Sequence, residues 1–454
     1  MDAAQADQGV TMIRKSHRAA VVFGAITLLA LASCGRVMVG TPIVTARTSE
    51  PYAAVPPALR TASAEILYVT DREPAPTERR PVWYGFNRSP SQAYGLCEVR
   101  FGDGLTWDEL AAQTSTARRT RAIPIGVGRV TELGRLPSVN QTLFYDDQAG
   151  VLNEDPQITR ERFQKRDDFY RVLGERLALT PKKEVFVFVH GVANSFGDAM
   201  FAIAQLWHFA GRQGVPIVYS WPAGAPGLLR GYTRDRESGE FTVFHLKSFL
   251  VALGKAPGVE KVHLIGHSRG TDVVITALRE LHIAFTAAGL RTRDELRLAN
   301  LMLAAPDLDA QVMSQRFTAE RVNLAARRTT MYVSRYDKAI GLADWLFRSW
   351  RRIGQLRFDD IPEASRRTLE NIPGFTIIDV TFRSAGHGHS YFYDDPRVAS
   401  DVILLLGGDR PPGAEHGRPL TKKAEGWWEL DEDYLSEESP AAPAPARRRH
   451  WTQQ

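Results

Sequence analysis

Two glycines bracket a serine in the stretch Gly266-His267-Ser268-Arg269-Gly270, a spacing that suits covalent catalysis by a hydroxyl. A serine hydroxyl is a weak nucleophile at neutral pH. It needs a base to take its proton, an acid to orient that base, and N–H donors for the oxyanion that forms. Each has candidates in this chain. Asp337 and, further on, His387 and His389 follow Ser268 in the order serine, acid, histidine. Asp307 and Asp309 compete for the acid's role from one strand earlier, and Asp309 also suits an N-cap. Either histidine could serve as base. The backbone N–H groups of Val192 and Arg269 are the expected oxyanion donors. The chemistry these groups fit is acyl transfer through an acyl-enzyme. Ser195, in "ANSFG", follows no strand directly and reads as a helix cap. The spacing His387-Gly388-His389, with no H-E-x-x-H elsewhere, does not fit a metal site, and no cofactor is expected.

These residues need elements to hold them. Residues 262–265 are an apolar run rich in β-formers, and Val273, Val274, Ala277, Leu278 and Leu281 recur at helical spacing. A strand, a sharp turn at Ser268 and a helix would lift the hydroxyl above a sheet. Further strands are predicted at 66–70, 97–101, 184–190, 215–221, 298–304, 329–334 and 375–382, with helices at 157–177, 196–211 and 241–253. The near-continuous apolar run at 184–190 is typical of a parallel strand buried on both faces. Alternating strands and helices give an α/β class, a mostly parallel central sheet flanked by helices. Asp337 then lies just past one strand and the two histidines just past the last.

The chain has 454 residues, 44% hydrophobic and 24% charged, enough for a large core. Its net charge of +5 is spread over dispersed arginines and Arg447-Arg448-Arg449. That fits a solvated surface and a basic tail, and no nucleic-acid-binding motif accompanies it. Arg14, Lys15, His17 and Arg18 precede an apolar run over 19–32 that ends in Leu31-Ala32-Ser33-Cys34. A basic cluster, a short apolar run and small residues at its end make a secretory signal over 1–33, with an uncleaved membrane anchor as the alternative. Met12 would set the cluster directly at the N-terminus, with 1–11 an extension. Residues 34–64, rich in Pro, Ala, Thr and Ser, read as a flexible tether. The main domain then spans 65–408 and a disordered tail 409–454. The second cysteine, Cys97, is expected to pack as a small hydrophobe.

The ending Leu-Ala-Ser-Cys resembles a bacterial lipobox. This implies cleavage before Cys34, lipidation of its thiol and a place in the cell envelope facing the periplasm. Gly35, where some inner-membrane lipoproteins carry aspartate, leans towards the outer membrane. From "ILYVTDR" through "VFVFVHGVANSF", "YTRDRES", "VHLIGHSRG", "LAAPDLDA", "YVSRYDKAI" and "GHGHSYF" the chain resembles the bacterial alpha/beta hydrolases of unknown function known as DUF900. The resemblance implies the α/β-hydrolase fold and a triad of Ser268, Asp337 and His389, the last from "GHSYF". It implies an esterase-like serine hydrolase and stops short of a substrate; the chemistry of the triad makes a small-molecule ester, thioester or other acyl compound the expected one. The family usually has another residue after the serine; Arg269 either brings a cation to the pocket mouth or lies outward. Arg234, Asp235, Arg236 and Glu237 form either a loop lining the site or a surface salt-bridge loop. An acyltransferase with the same triad and a non-catalytic envelope scaffold are the alternatives, and a peptidase fits least.

Overall fold

The structure, a computed structural model, describes residues 36–47, 52–138, 143–341, 352–384 and 388–436. The signal segment, Cys34, Gly35 and His387 lie outside the described residues, and so does the chain beyond residue 436. Among the described residues no helix is long and apolar enough to cross a membrane.

One mostly parallel sheet organises the chain. Its strands are β1 (Ser63–Pro74), β2 (Tyr84–Phe101), β3 (Ile125–Arg135), β6 (Glu184–Val189), β7 (Val215–Ser220), β8 (Lys261–His267), β9 (Leu298–Ala304), β10 (Arg328–Val333), β11 (Phe375–Val380), β12 (Thr421–Ala424) and β13 (Trp427–Leu430). A separate hairpin pairs β4 (Leu143–Asp146) with β5 (Val151–Glu154). The order across the sheet is β12-β13-β11-β10-β9-β8-β6-β7-β1-β2-β3. From β13 to β1 every neighbouring pair is parallel, while β2 is antiparallel to both of its neighbours and β12 to β13.

The long helices are α1 (Pro156–Ala178), α2 (Phe196–Phe209), α3 (Leu228–Gly254), α4 (Gly270–Ala287) and α5 (Pro396–Gly408). They cover both faces, because the strands are apolar on both. Along β6 the side chains alternate. Val185, Val187 and Val189 pack with α1, α3 and α4, whereas Phe186 and Phe188 pack with α2 and α5. Ser268 follows β8 near the middle of this sheet, where the flanking strands fix its position most firmly.

Two expected boundaries are corrected. Residues 36–62 were expected in a tether, but the described part packs as a strap. Met38, Tyr52 and Val55 are buried. The Val39 N–H donates to Gln205 Oε1 (2.8 Å), and Thr45 Oγ1 donates to Phe209 O (3.0 Å). The Arg119 guanidinium donates to the carbonyls of Met38 and Val39. Side chains from elsewhere satisfy this Pro- and Thr-rich backbone, so its composition misleads. Residues 409–436, expected in a tail, complete the sheet. Trp427 and Leu430 of β13 are buried, and β13 pairs with β11. Cys97 is buried on β2, and burial pushes its thiol up to about 12, as a packed rather than reactive sulfur requires.

Asp71, near the end of β1, is fully buried. Thr242 Oγ1 donates to its carboxylate (2.9 Å), and no salt bridge forms to it among the described residues. Burial pushes the carboxyl up to about 7, against ~3.9 in an unfolded chain. Between these values the folded chain keeps a proton that the unfolded chain has lost. Stability therefore falls as pH rises from about 4 to about 7, and the loss is complete above. Asp71→Asn removes the loss. Calorimetry should find this variant melting several degrees above wild type near pH 8 and level with it near pH 4. A gap that does not change with pH would refute the assignment.

Candidate active site

Ser268 stands at the junction of β8 and α4 with φ +52°. A side chain in the left-handed region is strained and persists only where its surroundings hold it. Here they do. The Ser268 N–H donates to Ala304 O (2.9 Å), and its carbonyl accepts from the N–H groups of Thr271 (3.1 Å) and Asp307 (3.2 Å) and from Thr271 Oγ1 (2.6 Å). The hydroxyl itself makes no hydrogen bond among the described residues, to His389 or to any other group. The loop after β6 presses directly on this turn. A Cβ on Gly191 would fall 2.6 Å from Ser268 Cβ, and one on Gly270 would fall 2.3 Å from His190 O. Only glycine allows this contact.

The acid and the base that the family resemblance implies meet. His389 Nδ1 lies 2.7 Å from Asp337 Oδ2. Asp337 is fully buried at the end of β10, and its second oxygen accepts the N–H groups of Ala339 (3.0 Å) and Ile340 (3.1 Å). The carboxylate is thus fixed by its own turn and presents one oxygen to the imidazole. His389 also lies against the residue preceding the nucleophile. The His267 and His389 rings stand 4.8 Å apart, and His267 Nε2 lies 3.1 Å from the His389 carbonyl. Burial, then the charge of His389 when protonated, pushes His267 down to about 3. It stays neutral and donates to that carbonyl. Asp394, close by, is pushed up to about 6 by burial and by Asp395.

The rival acids are engaged elsewhere. Asp307 pairs with Arg352 (2.9 Å) and accepts from Tyr232 Oη (2.8 Å). Asp309 caps the short helix Ala310–Met313. Ser195 is the N-cap of α2, with Asp198 completing a capping box. The N–H groups of Val192 and Arg269 have no partner among the described residues, leaving both able to receive an oxyanion. The Arg269 side chain takes neither expected place. It turns inward, buried, onto Asp272 (2.7 Å), which also holds Arg316 (2.7 Å). The run Arg234 to Glu237 is no loop but part of α3. Arg234, Arg236 and Glu237 are exposed. Asp235 is buried and accepts the N–H groups of Ala193 (2.9 Å), Gly224 (3.0 Å) and Ala225 (3.2 Å). That inward role, like the buried Arg72 of "ILYVTDR", was missed in sequence. The only signal was a charged residue among apolar or helical neighbours. Among the described residues no three His, Cys, Asp or Glu side chains converge as a metal site needs.

The family comparison agrees with this fold. A family model described as alpha/beta hydrolase of unknown function (DUF900) matches residues 165–408. The chain belongs to the DUF900 family. The match begins at Lys165, so β1, β2 and β3 of this DUF900 protein lie outside it, although the motif resemblance reaches back to Ile66. No curated protein matches the sequence. Two solved structures are similar in part. One is described as a cell surface hydrolase from Lactobacillus plantarum WCFS1. It has 15% identity and a TM-score of 0.26, and the likeness covers 54% of this chain and 84% of that one. The other is ESTFA in an Fe-lacking apo form. It has 14% identity and a TM-score of 0.26, with 50% of this chain and 75% of that one covered. The DUF900 protein is an alpha/beta hydrolase by family and by architecture.

Proposed function

We propose that this protein is a serine hydrolase of carboxylic esters or thioesters. The observation that carries the reading is the 2.7 Å contact between His389 Nδ1 and Asp337 Oδ2, beside a strained Ser268. With Nδ1–H donated to the carboxylate, Nε2 is the free base. It takes the proton of Ser268 Oγ as that oxygen attacks the carbonyl carbon. The tetrahedral oxyanion is held by the N–H groups of Val192 and Arg269. The alcohol or thiol leaves with the proton from Nε2. Water, deprotonated by the same nitrogen, then releases the acid and restores the serine. In ligand-free sites the serine–histidine hydrogen bond is often open and tightens with substrate, in keeping with the unbonded Oγ. The same reading includes lipidation at Cys34 and an envelope location. Cys34→Ala should move the protein from the detergent phase to the aqueous phase, and unchanged partitioning would remove the anchor.

A fluorophosphonate probe tests the chemistry without knowing the substrate. The purified protein should gain one adduct, mapped to the peptide carrying Ser268, and Ser268→Ala should gain none. A folded wild type that takes no adduct, or an adduct mapped elsewhere, would sink the reading.

A further inference from the structure

Arg72, near the end of β1, is buried to 1% exposure, and among the described residues no carboxylate forms a salt bridge with it. A buried, unpaired guanidinium is costly unless all its donors are satisfied. All five N–H groups find acceptors. Nε donates to Ser220 Oγ (2.9 Å), and Nη1 to the carbonyls of Gly85 (2.8 Å) and Ala223 (2.7 Å). Nη2 reaches the loop after β6, at Asn194 O (2.8 Å) and His190 Nε2 (3.3 Å).

The second contact sets a chain of consequences. His190 Nε2 also accepts the Trp221 N–H (3.2 Å), so it must carry the lone pair. Nδ1 then carries the proton, and it lies 2.9 Å from Gly191 O. The Gly191–Val192 peptide is planar and trans, so fixing its carbonyl aims the Val192 N–H the opposite way. On the far side of Val192, Asp235 holds the Ala193 N–H, and Arg72 holds the Asn194 carbonyl. Val192 thus sits between two clamped peptides, with its own N–H free and Gly191 packed on Ser268.

We propose that Arg72, from a strand outside the family's matched span, is a positioning residue: through His190 and Asn194 it aims the Val192 N–H at the oxyanion. This rests on the serine-hydrolase reading above. It also implies that the segment 165–408 alone lacks a part of its own site.

An oxyanion donor acts on the transition state and hardly on bound substrate. Arg72→Met should therefore lower kcat for a p-nitrophenyl ester by about 10²-fold, with KM within roughly threefold. Affinity for a trifluoromethyl ketone, which forms a tetrahedral adduct, should fall in parallel. Should Arg72→Met not fold, Arg72→Lys carries the test. It keeps the charge but cannot span both Asn194 O and His190 Nε2, and the same split is expected. A folded variant with unchanged kcat overturns the proposal alone. So does one whose KM rises while kcat and ketone affinity hold. A wild type inert to the ester and to fluorophosphonate overturns the hydrolase reading, and this one with it.

Discussion

Asp337→Asn should lower kcat for a p-nitrophenyl ester by about 10⁴-fold, while Ser268→Ala and His389→Ala each lower it by about 10⁶-fold, and all three should stay folded. The asparagine case is the more informative, because the structure dictates how the amide must sit. Asp337 Oδ1 accepts the N–H groups of Ala339 and Ile340, so an asparagine keeps its oxygen there. Its NH2 group then faces His389 Nδ1, where the carboxylate oxygen stood at 2.7 Å. Two donors cannot meet, so the imidazole gives up its Nδ1 proton and carries it on Nε2 instead. That tautomer offers Ser268 an N–H rather than a lone pair, and the base is lost with the fold intact. Circular dichroism and melting should match wild type while turnover collapses. Retention of more than a tenth of wild-type kcat would mean that Asp337 is not the orienting acid. A matching loss in Asp307→Asn would move the role there.

The candidate site was legible because its signals are local and periodic. The apolar run before Ser268 and the helical spacing after it each depend on a few adjacent residues, Asp337 and the two histidines follow strand ends in the expected order, and the family resemblance, not spacing, singled out His389 over His387. The fold class followed from the same periodicities. What escaped depends on contacts between distant segments. The stretch "GYTRDRESGEF", expected as a loop, holds Gly231 and Gly239. Both lie within α3, where they permit close approach. A Cβ on Gly231 would fall 2.4 Å from Ala225 O, and one on Gly239 would fall 3.2 Å from Val273 Cγ2 on α4. Arg72 and Asp235 act on a loop more than 40 positions away along the chain, and no spacing rule connects them to it. The strap over 36–47 and 52–62 and the strands near the C-terminus share this cause: polar and proline-rich composition, made ordered by partners elsewhere.

Those C-terminal strands set the second large expected effect, a loss of about 3–5 kcal/mol in Arg418→Met. Arg418 and Asp401 are both fully buried. Nε meets Oδ1 at 2.9 Å and Nη2 meets Oδ2 at 2.7 Å, a bidentate pair between α5 and the segment before β12. Asp401 also accepts the hydroxyls of Tyr332 (2.7 Å) and Tyr434 (2.6 Å). One carboxylate therefore joins α5, β10 and the chain on both sides of β12 and β13. Removing the guanidinium leaves that carboxylate charged in a dry interior, with two hydroxyls among the described residues to stabilise it. The pair itself contributes less than this figure, since removing both charges also removes the desolvation cost. The double variant Asp401→Leu/Arg418→Met should therefore melt above Arg418→Met, whereas two independent losses would add. Hydrogen exchange locates the damage, with the amides of β13 and its neighbour β11 losing protection first. The effect reaches the site, because the Thr381 N–H donates to Leu430 O (3.1 Å) where the chain leaves β11 towards His389. Activity in Arg418→Met should fall at temperatures where β13 exchanges but the rest of the sheet does not. A variant that melts within ~1 °C of wild type would show that Asp401 is held by the tyrosines alone.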